Sequence, residues 1–251
     1  MSGQAPWRQL PLPFPHEPRF HAADFLEGPS NTEALAWLRR VGEWPQGRLL
    51  LWGPEDSGKT HLLHVWAERM GARLLPASAL PRMPEPVTCP LAIDDAETAP
   101  ERPLLSLLNG AAEAGWPVLL AARTPPARWA VALPDLASRL RAITPVEILP
   151  PDGPLLRALL AKLLAERQLR VAEPVQDWLL LRLPRTPAAL REAAARLDRA
   201  GLVAGRAVTR AIAAEVVRAL TDSGAVPDPD GSHQDFMASS RPAPLAAPCL
   251  L

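Results

Sequence analysis

"RLLLWGPEDSGKT", residues 48 to 60, holds the feature on which the fold turns. Residues 48–52 are an apolar run of strand length. Residues 53–60 fit the pattern Gly-x-x-x-x-Gly-Lys-[Ser/Thr], and "GKTHLLHVWAERMGA" (58–72) continues with the look of a helix. Strand, Gly-rich turn, Lys-Thr and helix, in that order, is the context in which backbone N–H groups wrap a phosphate. Gly53 and Gly58 let the chain turn tightly. Pro54, Glu55, Asp56 and Ser57 complete a loop whose amides converge at a helix N-terminus. Lys59 is expected to reach β- and γ-phosphates, and Thr60 to place its hydroxyl on Mg²⁺. The expected cofactors are therefore ATP or ADP, with Mg²⁺. Of 27 lysines and arginines only Lys59 and Lys162 are lysines. A lysine here fits a site that needs a compact ammonium charge rather than a planar guanidinium.

The partner acid follows in "LAIDDAE" (91–97), an apolar strand ending in Asp94 and Asp95. A carboxylate at a strand's C-terminal edge beside a phosphate loop can hold Mg²⁺, here Asp94 together with Thr60. Asp95 is expected to orient an attacking water. The plainer alternative is a solvated strand end.

Outward from these two segments, strands and helices alternate. A helix is expected over Asn31 to Arg40, capped by Ser30 or Asn31. "ARLLPA" (72–77), "PLAID" (90–94), "PVLLAA" (117–122) and "VEIL" (146–149) read as strands, and "PLLSLLNGAAEAG" (103–115) as a helix ended by Gly115. Apolar strands alternating with helices predict a parallel α/β sheet covered on both faces. After Pro150-Pro151 the pattern becomes four amphipathic helices in segments 152–169, 173–183, 186–202 and 209–220, with Asp152, Thr186 and Thr209 as N-caps. The expected fold class is α/β, a P-loop αβα domain over 19–149 followed by a small all-helical domain over 150–220. Residues 1–18 carry five prolines and read as an extended arm, and 221–251 as a disordered tail.

The formal net charge is zero, which argues against a broad electrostatic grip on nucleic acid. DNA contact is expected mainly through a partner. Cys89 and Cys249 form no disulfide framework or zinc spacing. No apolar run approaches the ~20 residues of a membrane span, and the N-terminus lacks a signal-peptide core. A cytoplasmic protein without membrane contact is expected. His61 and His64 stand one helical turn apart with no third ligand in view, so packing is the expected role. The eight tryptophans are expected mostly in the core.

Several segments together resemble the AAA+ replication-initiator group, and within it the DnaA-related Hda regulators. They are "DFLEGPSN" (24–31), "GPEDSGKTHLLH", "LAIDDAE", "ARTPP" (122–126), "LPDLASRL" (133–140) and the helical end "LREAAARLDRAGL" with "VTRAIAAEVVRAL". The resemblance implies an AAA+ αβα nucleotide domain with a helical lid. By the family's "LASR" element, it implies that Arg139 is an arginine finger acting in trans on a neighbour's ATP. Such a guanidinium neutralises charge on the transferred phosphoryl group and raises rates about 10³–10⁵-fold. A solvated arginine on an amphipathic helix is the alternative.

"QLPLPF" (9–14) resembles the peptide by which Hda proteins dock on the DNA polymerase sliding clamp, with Gln9, Leu10, Leu12 and Phe14 as contacts. The implied function is a clamp-docked regulator that stimulates ATP hydrolysis by DnaA and limits re-initiation. The implied partners are DnaA, the clamp and a possible second copy of the chain. A helicase-loader-like ATPase and a nucleotide-binding adaptor without chemistry are the alternatives.

Two positions depart from the family pattern. Where it has a γ-phosphate-sensing acid or amide, this chain has Arg123, or Ala122 if the alignment slips by one. The family's lid arginine falls near Ala188. Arg185 and Arg191 flank it one turn away, and neither is assigned its role. Weak hydrolysis by the chain itself is the expected consequence.

Overall fold

The structure is a computed structural model that describes residues 20–81, 86–204 and 208–222. Five parallel strands form one sheet: β1 (Arg48–Trp52), β2 (Arg73–Pro76), β3 (Leu91–Asp94), β4 (Val118–Ala122) and β5 (Thr144–Glu147), in the order β2-β3-β4-β1-β5. α1 (Thr32–Arg39) precedes β1, and the helices between the strands are α2 (Lys59–Met70), α3 (Glu101–Ala114) and α4 (Pro134–Arg141). Side chains of a strand alternate between faces, and β1 shows the result. Leu50 joins Ile93, Leu120, Leu104 and Leu108 in one core, while Leu49 and Leu51 join Leu62, Leu63, Trp66 and Leu119 in another. The sheet is thereby covered on both faces, which explains why its central strands read as unbroken apolar runs. Each such side chain contributes about 1.5–3 kcal/mol on burial.

Two local expectations need correction. β5 begins at Thr144, two residues before the predicted run, because Thr144, Pro145 and Val146 pair with Leu49, Leu50 and Leu51. Pro145 is tolerated because β5 is an edge strand. Asn31 holds the N-cap position of α1 but does not cap it. Its Oδ1 accepts from Gly28 N at 3.0 Å and its Nδ2 donates to Leu26 O at 2.9 Å, stiffening the turn that enters the helix. Ser30 makes no cap either; its carbonyl accepts from Leu149 N at 3.0 Å and ties that turn to the end of the sheet.

Four helices follow the sheet: α5 (Gly153–Glu166), α6 (Glu173–Leu180), α7 (Pro187–Ala204) and α8 (Arg210–Asp222). Asp152 caps α5 by accepting from Leu155 N at 2.8 Å, and the Thr186 hydroxyl accepts from Ala189 N at 3.3 Å. These helices bury a core of their own, with Leu160, Leu179, Leu190, Leu197, Ala213 and Val217 among its members. Lys162 of α5 donates to both the carbonyl and the carboxylate of Asp24 at 2.8 Å, tying the helical unit to the segment before α1. That contact holds the Asp24 carboxyl below its ordinary pKa, first through the hydrogen bond and then through charge.

Trp44 and Trp66 stack at 5.4 Å inside the α1/α2 core, whereas Trp116 is 39% exposed. Among the described residues no helix is long and apolar enough to cross a membrane.

Candidate functional site

The loop after β1 is shaped by two glycines that no other residue replaces freely. Gly53 has φ +155°, and a Cβ there would stand 2.3 Å from the Ile148 carbonyl oxygen of the segment after β5. Gly58, at φ +95°, packs against the Phe25 ring, 3.1 Å from where its Cβ would be, and opens α2. Between them Asp56 also adopts a left-handed conformation, φ +59°. Lys59 is 7% exposed, and its ammonium folds back over the loop. It donates to the carbonyls of Gly53 at 2.9 Å and Pro54 at 2.6 Å, and to the Ser57 hydroxyl at 3.3 Å. Burial lowers its pKa, opposed chiefly by the charge of Asp94 and then Glu97.

The sheet order brings the end of β3 alongside, one strand removed from β1. The Thr60 hydroxyl donates to Asp94 Oδ2 at 2.8 Å, and Asp94 Oδ1 accepts from the Asp95 amide at 3.0 Å. Thr60, Asp94 and Lys59 therefore meet at the C-terminal edge of the sheet, where α/β folds hold ligands. Asp95 is exposed, in a left-handed conformation, φ +51°. Among the described residues no group of three His, Cys, Asp or Glu side chains stands ready for a metal. The hydroxyl and carboxylate oxygens of Thr60 and Asp94 are the hard donors that suit Mg²⁺ carried in with phosphates. His61 and His64 are engaged in packing: Phe20 stacks on His64 at 4.2 Å, and His61 Nε2 lies 3.0 Å from His21 O.

Three residues at this site make contacts that the sequence reading did not assign. Glu97 accepts from the Arg123 amide at 2.8 Å through Oε1, while its Oε2 is buried without a partner. The acid three positions after Asp94 was the available signal. The Arg123 guanidinium reaches Glu55 of the loop at 3.2 Å. Arg191, on α7, reaches Asp56 of the loop at 3.4 Å. Ala188 is exposed, and Arg185 lies against Gly153 at the start of α5. Arginines from the sheet domain and from the helical unit thus both rest on loop carboxylates.

Arg139 lies elsewhere. It sits near the end of α4, which feeds the first residue of β5, and Thr144 pairs with Leu49 at the start of β1. The phosphate loop leaves the opposite end of β1. A strand of that length spans about 15 Å, so Arg139 and the loop occupy opposite edges of the sheet. Arg139 lines a cavity of about 440 Å³ with Gln46, Leu105, Asn109, Asp135, Ser138 and Ala142. Gln9, Leu10, Leu12 and Phe14 lie outside the described residues.

A five-stranded parallel sheet in this order, with a loop of this kind and a helical unit after it, is the AAA+ αβα fold. Known structures support the assignment at the level of fold. The chain is similar to domain III of the replication initiation protein DnaA from Thermotoga maritima, with TM-score 0.69 and 18% identity over 82% of this chain and 98% of that one. It is similar to DnaA bound to AMPPCP and single-stranded DNA, with TM-score 0.61 and 17% identity over 83% of this chain and 69% of that one. RuvB from Thermotoga maritima gives 0.59 and 18%, over 77% and 70%. No sequence-family profile matches the chain.

Proposed function

We propose that this chain binds an adenine nucleotide at the loop of residues 53–60 and uses Arg139 on ATP held by a neighbouring AAA+ protein. The observation that carries the reading is the separation of the two sites. Lys59, Thr60 and Asp94 converge at one edge of the sheet and Arg139 stands at the other. An arginine side chain does not reach across a strand, so Arg139 serves only a phosphate that another subunit presents. Thr60 and Asp94 would hold Mg²⁺, which supplies charge neutralisation on the phosphates when bound. Asp95, exposed at the end of β3, would orient water at the chain's own nucleotide. The likeness of the fold to DnaA bound to AMPPCP supports nucleotide binding.

The partner proposed is the initiator DnaA, with the chain held at the replication site by Gln9, Leu10, Leu12 and Phe14 on the sliding clamp. In that role it speeds conversion of DnaA-ATP to DnaA-ADP and limits re-initiation. Its own turnover is slow, since Arg123 stands where a γ-phosphate-sensing acid or amide belongs. The test is ATP turnover by DnaA with clamp loaded on DNA. Adding this chain accelerates turnover, and Arg139→Ala removes most of the acceleration while leaving nucleotide binding by the chain intact. Acceleration that survives Arg139→Ala rejects the trans role, and no acceleration at all favours an adaptor without chemistry.

A further inference from the structure

Arg123 leaves the sheet at the point where the phosphate loop begins. β4 lies between β3 and β1, so its end opens between Asp94 and the loop. Its last residue, Ala122, accepts from the Gly53 amide at 3.3 Å, and the Arg123 amide donates to Glu97 Oε1 at 2.8 Å. The backbone at 122–123 is thereby held from two sides, by the first residue of the loop and by the acid after β3. The side chain is held less firmly. Its Nη1 meets Glu55 Oε2 at 3.2 Å, with 58% of the arginine side chain and 72% of the glutamate side chain exposed. An ion pair as open as this is weak, because water screens both charges.

The Arg123 guanidinium also stands near the Lys59 ammonium. Burial lowers the Lys59 pKa most; Asp94 and then Glu97 oppose it, and repulsion from Arg123 adds to burial. Two cations thus share the space in front of a loop whose form suits a phosphate. We propose that Arg123 is a phosphate-binding residue of the chain's own site, and that its guanidinium leaves Glu55 to take the terminal phosphate of a bound nucleoside triphosphate. The hydrogen-bonded pair of Thr60 and Asp94 marks the side of the loop that would carry Mg²⁺, and β4 ends between Asp94 and the loop. The planar fork of a guanidinium suits two phosphate oxygens at once, whereas Glu55 engages one of its nitrogens. Exchange leaves Glu55 in water, where its exposure makes release easy. The site then counts phosphates, since a triphosphate gains a contact that a diphosphate lacks. This rests on the nucleotide reading of residues 53–60 given above and is independent of Arg139.

The isolated full chain tests the proposal without any partner. Calorimetry with Mg²⁺ compares AMPPCP, a triphosphate that resists hydrolysis, with ADP. Arg123→Ala is expected to weaken AMPPCP binding about tenfold or more, the size of a lost charge-assisted contact. The same variant is expected to change ADP binding by less than about twofold. It keeps the backbone amide that Glu97 holds, so the end of β4 stays in place. Glu55→Gln gives a second variant at an exposed position. It removes the competing charge and is expected to tighten AMPPCP binding by up to about fivefold, the range of an exposed ion pair. A bridge that only braces the loop predicts otherwise, because loss of either partner would then weaken binding. Equal weakening of AMPPCP and ADP by Arg123→Ala, no weakening of either, or looser AMPPCP binding by Glu55→Gln overturns the proposal and leaves the loop a nucleotide site. A parent chain that binds neither ligand overturns the underlying reading of the loop, and this proposal with it.

Discussion

Replacing Gly53 by Ala tests how the sheet holds the phosphate loop. The added Cβ would lie 2.3 Å from Ile148 O, inside the 3.0 Å below which real Cβ contacts essentially do not occur. The atom it meets is backbone, so no side chain can turn aside. Relief requires the segment after β5 to move away from β1, and the bond from Ile148 N to Trp52 O, 2.7 Å long, lies in its path. Losing that bond costs about 0.5–1.5 kcal/mol. Forcing alanine into the Gly-favoured backbone adds about 1–3 kcal/mol. The expected destabilisation is about 2–4 kcal/mol. Gly71→Ala is the control: φ is +62° there, and nothing lies within 4 Å of the added Cβ. Only the left-handed strain applies, about 1–2 kcal/mol. Urea unfolding of both variants, with unchanged m-values, measures the difference, and nucleotide titration shows whether the loop still forms. Equal stability loss at the two positions would refute the claim that the β1–β5 contact, rather than loop conformation alone, demands glycine at position 53.

Two further outcomes follow from named contacts. Arg191 rests on Asp56 at 3.4 Å, and a bound phosphate would compete with Asp56 for it. Asp56→Asn is expected to tighten nucleotide binding by up to about fivefold and Arg191→Ala to loosen it, the range of an exposed ion pair; calorimetry that moves both variants the same way counts against the competition. His61 has its pKa lowered from 6.5, mainly by burial. Folding therefore favours its neutral form. The unfolded chain takes up the proton first as pH falls below 6.5, so stability is full above that pH and declines beneath it. Unfolding between pH 7.5 and 5 should show that decline, and a His61→Gln chain that keeps the same slope would assign it to other groups.

Much of this is legible in the sequence alone. The runs at 48–52, 91–94 and 118–122 read as strands because both faces of each are buried, and the loop between residues 53 and 60 carried its own pattern. The misreadings have physical causes. Thr144 and Pro145 lack the look of a strand, and only pairing with Leu49 and Leu50 draws them into one. Asn31 has the composition of a cap, but its amide finds two backbone partners before the helix instead. Arg191 and Arg123 meet loop acids 135 and 68 residues away, contacts that no local spacing encodes. Arg48 read only as the first residue of the 48–52 strand. Its burial and its bond to the Leu108 carbonyl of α3, 60 residues away, come from packing that no local spacing encodes.

A parallel sheet imposes a division that bears on how such a chain works. All of its strands end at the same edge, so the loop after β1 and the acids after β3 gather there without further design. Whatever enters β5 must arrive at the other edge, and α4 brings Arg139 with it. On the function proposed above, the chain would carry one half of two separate sites rather than one whole site. A nucleotide at Lys59 would meet no arginine from the α4 end of the same chain, and Arg139 would meet a phosphate only on a neighbour.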